Sequence, residues 1–237
     1  MPQSTAFIIG SFPSPLYKAF SEEKHARDFL ERGILIMRSL SYFRETEDLK
    51  RKDKDEGEGR VKIVRQRPVI EYELASGKFL AASQQLGEVF FGTASTNPCY
   101  LYCFTGPEVD VDYLAAGKYG QYVLRIDEPN ALVSEIASCL ERHPDMPNTM
   151  WLYCIPVRYD RDQLVGELPE SASHERLMMS CGQKDNRDCG DCEYRLVLRL
   201  PVPYDPPDEI RVELKKRPEH VDTARWPAKD QDASGKP

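Results

Sequence analysis

Three cysteines and one histidine lie close together between residues 174 and 192. Cys189 and Cys192 have two residues between them, a spacing that lets both thiolates face one ion, and His174 and Cys181 precede them. Three sulfur ligands and one imidazole would complete a tetrahedral zinc site. The sequence has no second cysteine pair at this spacing, so a loop that carries incidental thiols is the simpler interpretation.

A second group of residues that could bind a metal ion is acidic and comprises Asp53, Asp55, Glu56 and Glu58. A calcium-binding EF loop needs glycine at its sixth position, and counting from Asp53 that position is Glu58. The spacing therefore favours a solvated charged loop over a calcium site. We expect residues 44–60 to form such a loop or a frayed helix end.

The signatures of common catalytic folds are missing from the sequence. It has no GxSxG elbow for a nucleophilic serine, and its four histidines are dispersed. It also has no GxGxxG or GxxxxGK motif, which excludes nucleotide binding through a glycine-rich phosphate cradle.

A set of polar residues at the beginnings and ends of apolar strands is the remaining candidate site. Polar groups in such places need partners or a cavity, because burying them unpaired costs roughly 1–3 kcal/mol each. They either line a site or satisfy one another, for example through a salt bridge between Glu193 and Arg38 or Arg195. The set comprises Tyr17, Lys18, Arg38, Ser39, Ser95, Thr96, Thr105, Glu193 and Arg195.

The elements that must position these residues are predicted from hydrophobic periodicity. A strand from Leu16 precedes a helix that Ser21 caps and Gly33 ends. A short amphipathic turn of helix is expected over 42–49 and a further helix over 131–142. Further strands are predicted at 34–40, 61–65, 69–74, 88–95, 99–105, 121–126, 150–157, 193–200 and 209–214.

This element order predicts an α+β fold with a mainly antiparallel, split sheet and two or three helices. Residues 1–214 are expected to form a single domain. From Lys215 the sequence becomes polar and contains proline, so residues 215–237 are expected to be a disordered C-terminal tail.

Charge and composition indicate the cellular location of the protein and the partners that it can bind. The net charge of −7 argues against broad binding to nucleic acid or to anionic membranes, both of which need a cationic surface. Several of the seven cysteines lie inside apolar runs, where they behave as small buried hydrophobes, as in a reducing compartment. A cytoplasmic protein without a membrane partner is expected.

The same segments resemble a large, mostly uncharacterised bacterial family of unknown function. LYKAF at 16–20 and RSLSYFRE at 38–45 match its opening strand and the aromatic loop that follows a later strand. CFT at 103–105, the strand at 120–126, Lys184 and EYR at 193–195 match its later motifs in the same order. The resemblance covers about residues 16–200.

The layout is also similar to the split-sheet fold of ADP-ribosyltransferases. The similarity implies that Tyr17 and Lys18 hold NAD, that Ser95 or Thr96 supports the nicotinamide pocket, and that Glu193 binds the ribose. A carboxylate there would stabilise an oxocarbenium-like transition state. Asp191 stands where that family has a second glutamate.

Two functional hypotheses follow. The first is an NAD-consuming, ADP-ribosyltransferase-like enzyme, a bacterial toxin or an anti-phage effector that modifies a protein or nucleic-acid target. The second is a non-catalytic interaction module, stabilised by zinc if the cysteine cluster binds metal, in which the same polar residues form structural pairs and the charged 44–60 loop contacts a partner.

Overall fold

The structure is a computed structural model. It describes residues 4–45, 58–65, 69–73, 78–83, 87–94, 98–116, 119–160, 181–184, 190–201 and 207–227. Residue contacts divide the chain into two compact units. The larger comprises Met1–Glu56, Thr96–Val157 and Gly190–Pro237, and the smaller comprises Gly57–Ser95 and Arg158–Cys189. The single domain expected over residues 1–214 stays a prediction.

The described residues contain thirteen strands and four helices. The strands are β1 Thr5–Ile9, β2 Leu16–Phe20, β3 Ile34–Ser39, β4 Glu58–Arg65, β5 Val69–Glu73, β6 Lys78–Ser83, β7 Gly87–Ala94, β8 Cys99–Thr105, β9 Tyr122–Ile126, β10 Thr149–Pro156, β11 Glu193–Arg199, β12 Glu209–Glu213 and β13 Val221–Arg225. The helices are α1 Glu23–Arg32, α2 Leu40–Glu45, α3 Val111–Ala116 and α4 Pro129–Leu140.

Nine strands of the larger unit form one sheet. Its main path runs β1-β10-β11-β8-β2-β9-β13, and β3 joins β12 to β8 beside this path. The predicted α+β class is confirmed. The sheet is mixed rather than mainly antiparallel as predicted, because β1 lies parallel to β10. The connection from β1 to β10 contains four of the unit's other strands, β2, β3, β8 and β9, so sequence proximity does not dictate the direction of this pairing.

The sheet forks at β8. One edge of β8 pairs with β11 along its whole length. The opposite edge pairs with β2 only at Thr105 and with β3 only at Tyr100 and Leu101. The strands β2 and β3 therefore diverge from the two ends of β8, and α1 connects them. We call this opening the fork.

Both faces of the sheet carry apolar clusters. The larger cluster includes Phe29 of α1, Ile136 of α4 and Leu124 of β9. The smaller includes Leu114 of α3 and Val123 of β9. Since consecutive residues of a strand point to opposite faces, Val123 and Leu124 assign the two clusters to opposite faces of the sheet.

The local sequence explains the bounds of α1. Gly33 has φ 64°, a left-handed conformation suited to glycine, and its N–H donates to the Phe29 carbonyl at 3.0 Å, so the predicted helix end is confirmed. The predicted cap at Ser21 is wrong. The helix begins at Glu23, and Glu22 holds the N-cap position in an extended conformation without a side-chain cap hydrogen bond.

Four elements were not predicted from the sequence: β1, β6, α3 and β13. The strand β13 lies inside the segment expected to be a disordered tail, and it pairs with β9 while burying Val221. The described residues 215–227 therefore do not match the expected disordered tail. In the smaller unit, β4 pairs with β7 and β5 pairs with β6, both antiparallel. The charged 44–60 segment lies largely outside the described residues.

Candidate functional site

Three of the predicted site residues form one line across three adjacent strands. Tyr17 of β2 is the register partner of Thr105 of β8, and Thr105 is the partner of Glu193 of β11. Directly opposed residues in antiparallel strands point their side chains to the same face. We call Tyr17, Thr105 and Glu193 the cross-strand row. It runs from half-buried Tyr17 to buried Thr105 and Glu193.

Glu193 forms a buried salt bridge with Arg195. The Arg195 Nε donates a hydrogen bond to Glu193 Oε1 at 2.6 Å. The side chains are 1% exposed for Arg195 and 7% exposed for Glu193. The two residues lie two positions apart on β11, so they share the face that carries the cross-strand row. Of the two salt bridges that the sequence suggested for Glu193, the structure therefore contains the one with Arg195 and not the one with Arg38.

Cys103 lies next to this ion pair. It is the register partner of Arg195 on β8, and so it lies on the same face. Burial, followed by the negative charge of Glu193, raises the pKa of the Cys103 thiol to about 12, although Arg195 and Lys18 act in the opposite direction. Cys103 is therefore a neutral thiol at physiological pH, which is unsuitable for a nucleophile.

Tyr119 and Asp191 extend the polar cluster at the Glu193 end. The Tyr119 hydroxyl donates a hydrogen bond to Asp191 Oδ2. Burial, the charge of Glu193 and this hydrogen bond all raise the pKa of Tyr119, so its hydroxyl stays protonated. The next residue, Gly120, has φ 122°, and a Cβ there would overlap the Phe20 carbonyl, so the backbone passes close against the end of β2. This close approach places Tyr119 beside β2.

The backbone before Glu193 is unusual. Cys192 has φ 41°, and it is the one non-glycine residue with positive φ in the described part of the chain. Its carbonyl accepts a hydrogen bond from the Gly106 N–H at 2.8 Å, which continues the pairing of β11 with β8 by one residue. Left-handed backbone at a non-glycine residue occurs often at binding and catalytic sites.

Lys18 lies in the fork, on the opposite face of the sheet from the cross-strand row. Its Nζ donates to the Cys103 carbonyl at 2.7 Å and lies 4.4 Å from the centre of the Tyr102 ring. Within the described residues, the buried Tyr102 hydroxyl has no hydrogen-bond partner, and burial raises the pKa of Tyr102. Lys18 therefore satisfies a β8 carbonyl at the fork, and it lies across the sheet from the cross-strand row.

Arg38 and Ser39 have structural contacts at the β3 side of the fork. Arg38 forms a salt bridge with Glu209 of β12 and stacks over the Tyr42 ring at 4.5 Å. The Ser39 Oγ accepts the Tyr42 N–H at 3.1 Å, which is the contact of a helix cap at the start of α2. The structure does not bring either residue to the cross-strand row.

The remaining predicted site residues lie mostly outside the described residues. Ser95 and Thr96, as well as His174 and Cys189 of the proposed zinc site, belong to this group. Cys181 is buried in the smaller unit, and Cys192 is half-buried in the larger unit. In the described ranges, no group of three or more His, Cys, Asp or Glu side chains could hold a metal ion.

Sequence reasoning did not include Cys103 or Tyr119 among the site residues. The sequence indicates Cys103 as a small buried hydrophobe and as part of the CFT motif, but its position two residues before Thr105 also places both on one face. That alternation was the available signal. Tyr119 belongs to no strand or helix, so its proximity to Asp191 depends on long-range pairing that the sequence does not display.

Among the helices of the described residues, none is long and apolar enough to span a membrane. No protein-family model, no curated protein and no solved structure matches the chain, so the cross-strand row, the Glu193–Arg195 pair and the fork are interpreted on their own geometry.

Proposed function

We propose that the chain is an NAD-consuming enzyme similar to the ADP-ribosyltransferases, with Glu193 as its catalytic carboxylate. The cross-strand row is the observation that carries this proposal. Its three members come from strands separated by up to about 180 positions of sequence, and they align on one face at the end of β8 where the sheet forks. Fixed polar groups on three strands can bind a substrate with little reorganisation.

The chemistry proposed at this site is cleavage of the bond between nicotinamide and ribose. Nicotinamide leaves as a neutral ring with the bonding electron pair, and positive charge develops on the ribose. An acceptor nucleophile then bonds to the ribose carbon and loses its proton. The Glu193 carboxylate favours the charged transition state over the less polarised ground state. Tyr17, at the half-buried end of the row, would bind the dinucleotide.

The predicted role of Lys18 in holding NAD is not part of the proposal, because Lys18 lies on the opposite face of the sheet from the cross-strand row and donates to the Cys103 carbonyl. The acceptor would be a protein or a nucleic acid, in line with a toxin or phage-defence role. A cytoplasmic location follows from the same proposal, because NAD is the substrate.

The test is nicotinamide release from NAD by the purified full-length chain. Wild type should release nicotinamide above the protein-free background, and Glu193→Gln should reduce the rate by about 100-fold or more. Glu213→Gln is the matched control, because Glu213 pairs with Arg211 at the same two-residue spacing but at the surface. Wild-type release at background level, in the presence of candidate protein and RNA acceptors, would refute the enzyme proposal.

The second candidate is a non-catalytic interaction module, and the Glu193–Arg195 pair favours it. A carboxylate that is 7% exposed and bonded to a buried arginine has the environment of a structural ion pair. In this alternative the cysteine cluster Cys181, Cys189, Cys192 and His174 would hold a stabilising zinc ion. Metal analysis of the purified protein, and melting with and without a chelator, test that part independently of NAD turnover.

A further inference from the structure

The strand β1 is an edge of the nine-stranded sheet and carries no charged residue. The other two edge strands of the described sheet, β12 and β13, carry three and two charged residues. The sequence of β1 is TAFII, in which Phe7 and Ile8 are 50% and 42% exposed. Charged residues on an edge strand hinder its pairing with another chain, whereas an uncharged edge with exposed apolar side chains favours it.

The hydrogen bonds between β1 and β10 show which backbone groups of β1 face outward. The Thr5 N–H donates to the Asn148 carbonyl at 2.9 Å, so the backbone of Thr5 faces β10. In a parallel ladder, alternate residues of a strand bond to the neighbouring strand. Ala6 and Ile8 therefore direct their N–H and C=O groups away from the sheet.

A side chain from the end of α4 occupies one of these outward groups. Glu141 Oε1 accepts a hydrogen bond from the Ala6 N–H at 3.0 Å, although the two residues lie 135 positions apart. Among the described residues, no such contact is found for the outward N–H of Ile8. The edge of β1 thus has one closed donor and one open donor.

The position of Glu141 is unfavourable for α4 itself. Glu141 is the C-cap residue of this helix, and its own N–H donates to the Ala137 carbonyl. The C-terminal end of a helix is the negative end of its dipole, which favours cations and disfavours a carboxylate. The contact with Ala6 is therefore the stabilising role that the structure shows for the Glu141 carboxylate.

The charge pattern indicates which strand the β1 edge would accept. If β12 paired antiparallel with β12 of a second copy, centred on Arg211, Glu209 would lie opposite Glu213 and Arg211 opposite itself. Like charges opposite each other destabilise such a pair. Self-pairing of β1 places no charges opposite each other, so β1 of a second copy is a compatible partner.

We propose that Glu141 is an edge cap, which keeps β1 from pairing with β1 of a second copy of this chain. In an antiparallel pair centred on Phe7, Ala6 lies opposite Ile8 of the second copy, and each residue donates to and accepts from the other. The Ala6 N–H is therefore a donor that this pair needs, and Glu141 holds it. This inference does not depend on NAD turnover.

The first test is sedimentation of the purified full-length chain over a series of concentrations. Wild type should stay at the mass of one chain, 27.2 kDa, and Glu141→Ala should move toward twice that mass as the concentration rises. Glu213→Ala is the matched control, because it removes the same charge from β12, which keeps its other two charged residues. A Glu141→Ala protein that stays monomeric like wild type would overturn the proposal.

A double variant tests whether the association uses β1. Ile8→Lys adds a charge to this edge, so Glu141→Ala/Ile8→Lys should return to the mass of one chain. Association that persists in the double variant would place the contact on another surface and contradict the proposal.

Hydrogen exchange tests the cap in the folded wild type, and it decides the proposal even if Glu141→Ala does not fold. The Ala6 amide should exchange about 10-fold or more slowly than the Ile8 amide, because only Ala6 has an acceptor. Glu141→Gln should reduce this difference, since a neutral amide oxygen is a weaker acceptor than a carboxylate. Equal exchange at Ala6 and Ile8 in wild type would show that Glu141 does not cap the edge.

Discussion

Two Glu–Arg pairs of this chain have the same spacing on a strand and opposite environments. On β11, Arg195 Nε bonds to Glu193 Oε1 at 2.6 Å, with side chains that are 1% and 7% exposed. On β12, Arg211 Nε bonds to Glu213 Oε1 at 2.8 Å, with side chains that are 52% and 59% exposed. The geometry of the contact is therefore nearly constant, while the solvent around it changes.

The comparison shows what a buried ion pair costs. An exposed pair such as Arg211–Glu213 contributes about 0–1 kcal/mol, because water and salt screen it. A buried pair loses the hydration of two charges, and an apolar pair of similar volume is often as stable or more stable. The retention of two charges on the interior face of β11, surrounded by Cys103, Thr105 and Val197, is therefore better explained by specificity or function than by stability.

The largest expected effect comes from removing one partner of the buried pair. Glu193→Gln leaves the Arg195 guanidinium buried without its carboxylate, and the free energy of unfolding should fall by about 3–5 kcal/mol. Glu213→Gln should change it by less than about 1 kcal/mol. Denaturant unfolding at pH 7 measures both variants, and equal losses in the two would remove the distinction between the pairs.

Replacing both partners of the buried pair should separate stability from function. In Glu193→Leu/Arg195→Met both charges are gone, so the protein should be as stable as wild type or about 1–4 kcal/mol more stable. NAD turnover, if wild type has it, should be lost completely. A double variant that is as unstable as Glu193→Gln would indicate that the pair has further structural partners that depend on its charges.

A pH prediction tests whether the charge of Glu193 contributes to the raised pKa of the Cys103 thiol. Burial and Glu193 raise the pKa of the Cys103 thiol from 9.0 to about 12, so the folded protein holds this proton more tightly than the unfolded chain does. The resulting stability is fully present below about pH 9 and is lost as pH rises toward 12. Between these values wild type should lose about 1.4 kcal/mol per pH unit more than Cys103→Ala.

Unfolding curves recorded from pH 8 to pH 11 measure this difference. The Cys154 thiol, whose pKa burial also raises to about 12, provides a comparison in which Glu193 is not among the causes. Glu193→Gln should therefore reduce the Cys103 contribution and leave the Cys154 contribution in place. Parallel pH profiles for wild type and Cys103→Ala would contradict the prediction.

The sequence predicted the strands of the site but not their register. Tyr17, Thr105 and Glu193 were grouped because each is a polar residue at the end of an apolar run. Their alignment depends on β2 and β11 meeting β8 at one residue, which is a long-range pairing that local patterns do not encode. The position of Lys18 across the sheet from Tyr17 was predictable, since neighbouring strand residues face opposite sides.

Other residues were misassigned because their partners lie far away in the sequence. The contact of Arg38 with Glu209 requires the pairing of β3 with β12, and the cap formed by Ser39 requires α2 to begin immediately after β3. The strand β13 has few apolar residues, and it forms because the edge of β9 is available for pairing. Tertiary context, rather than propensity, decides these cases.

The smallest expected effect concerns the backbone that leads into the buried pair. Cys192 has φ 41°, a conformation that costs most L-residues about 1–2 kcal/mol and glycine almost nothing. Cys192→Gly should therefore be close to wild type in stability, and Cys192→Val should be about 1–2 kcal/mol less stable, because a β-branched residue tolerates this conformation least.

The same two variants discriminate between strain and metal binding. If the Cys192 thiolate holds zinc, glycine and valine should both lose several kcal/mol together with the bound metal, since neither can be a ligand. Denaturant unfolding with parallel metal analysis thus decides whether the residue before Glu193 is a strained backbone position or a zinc ligand.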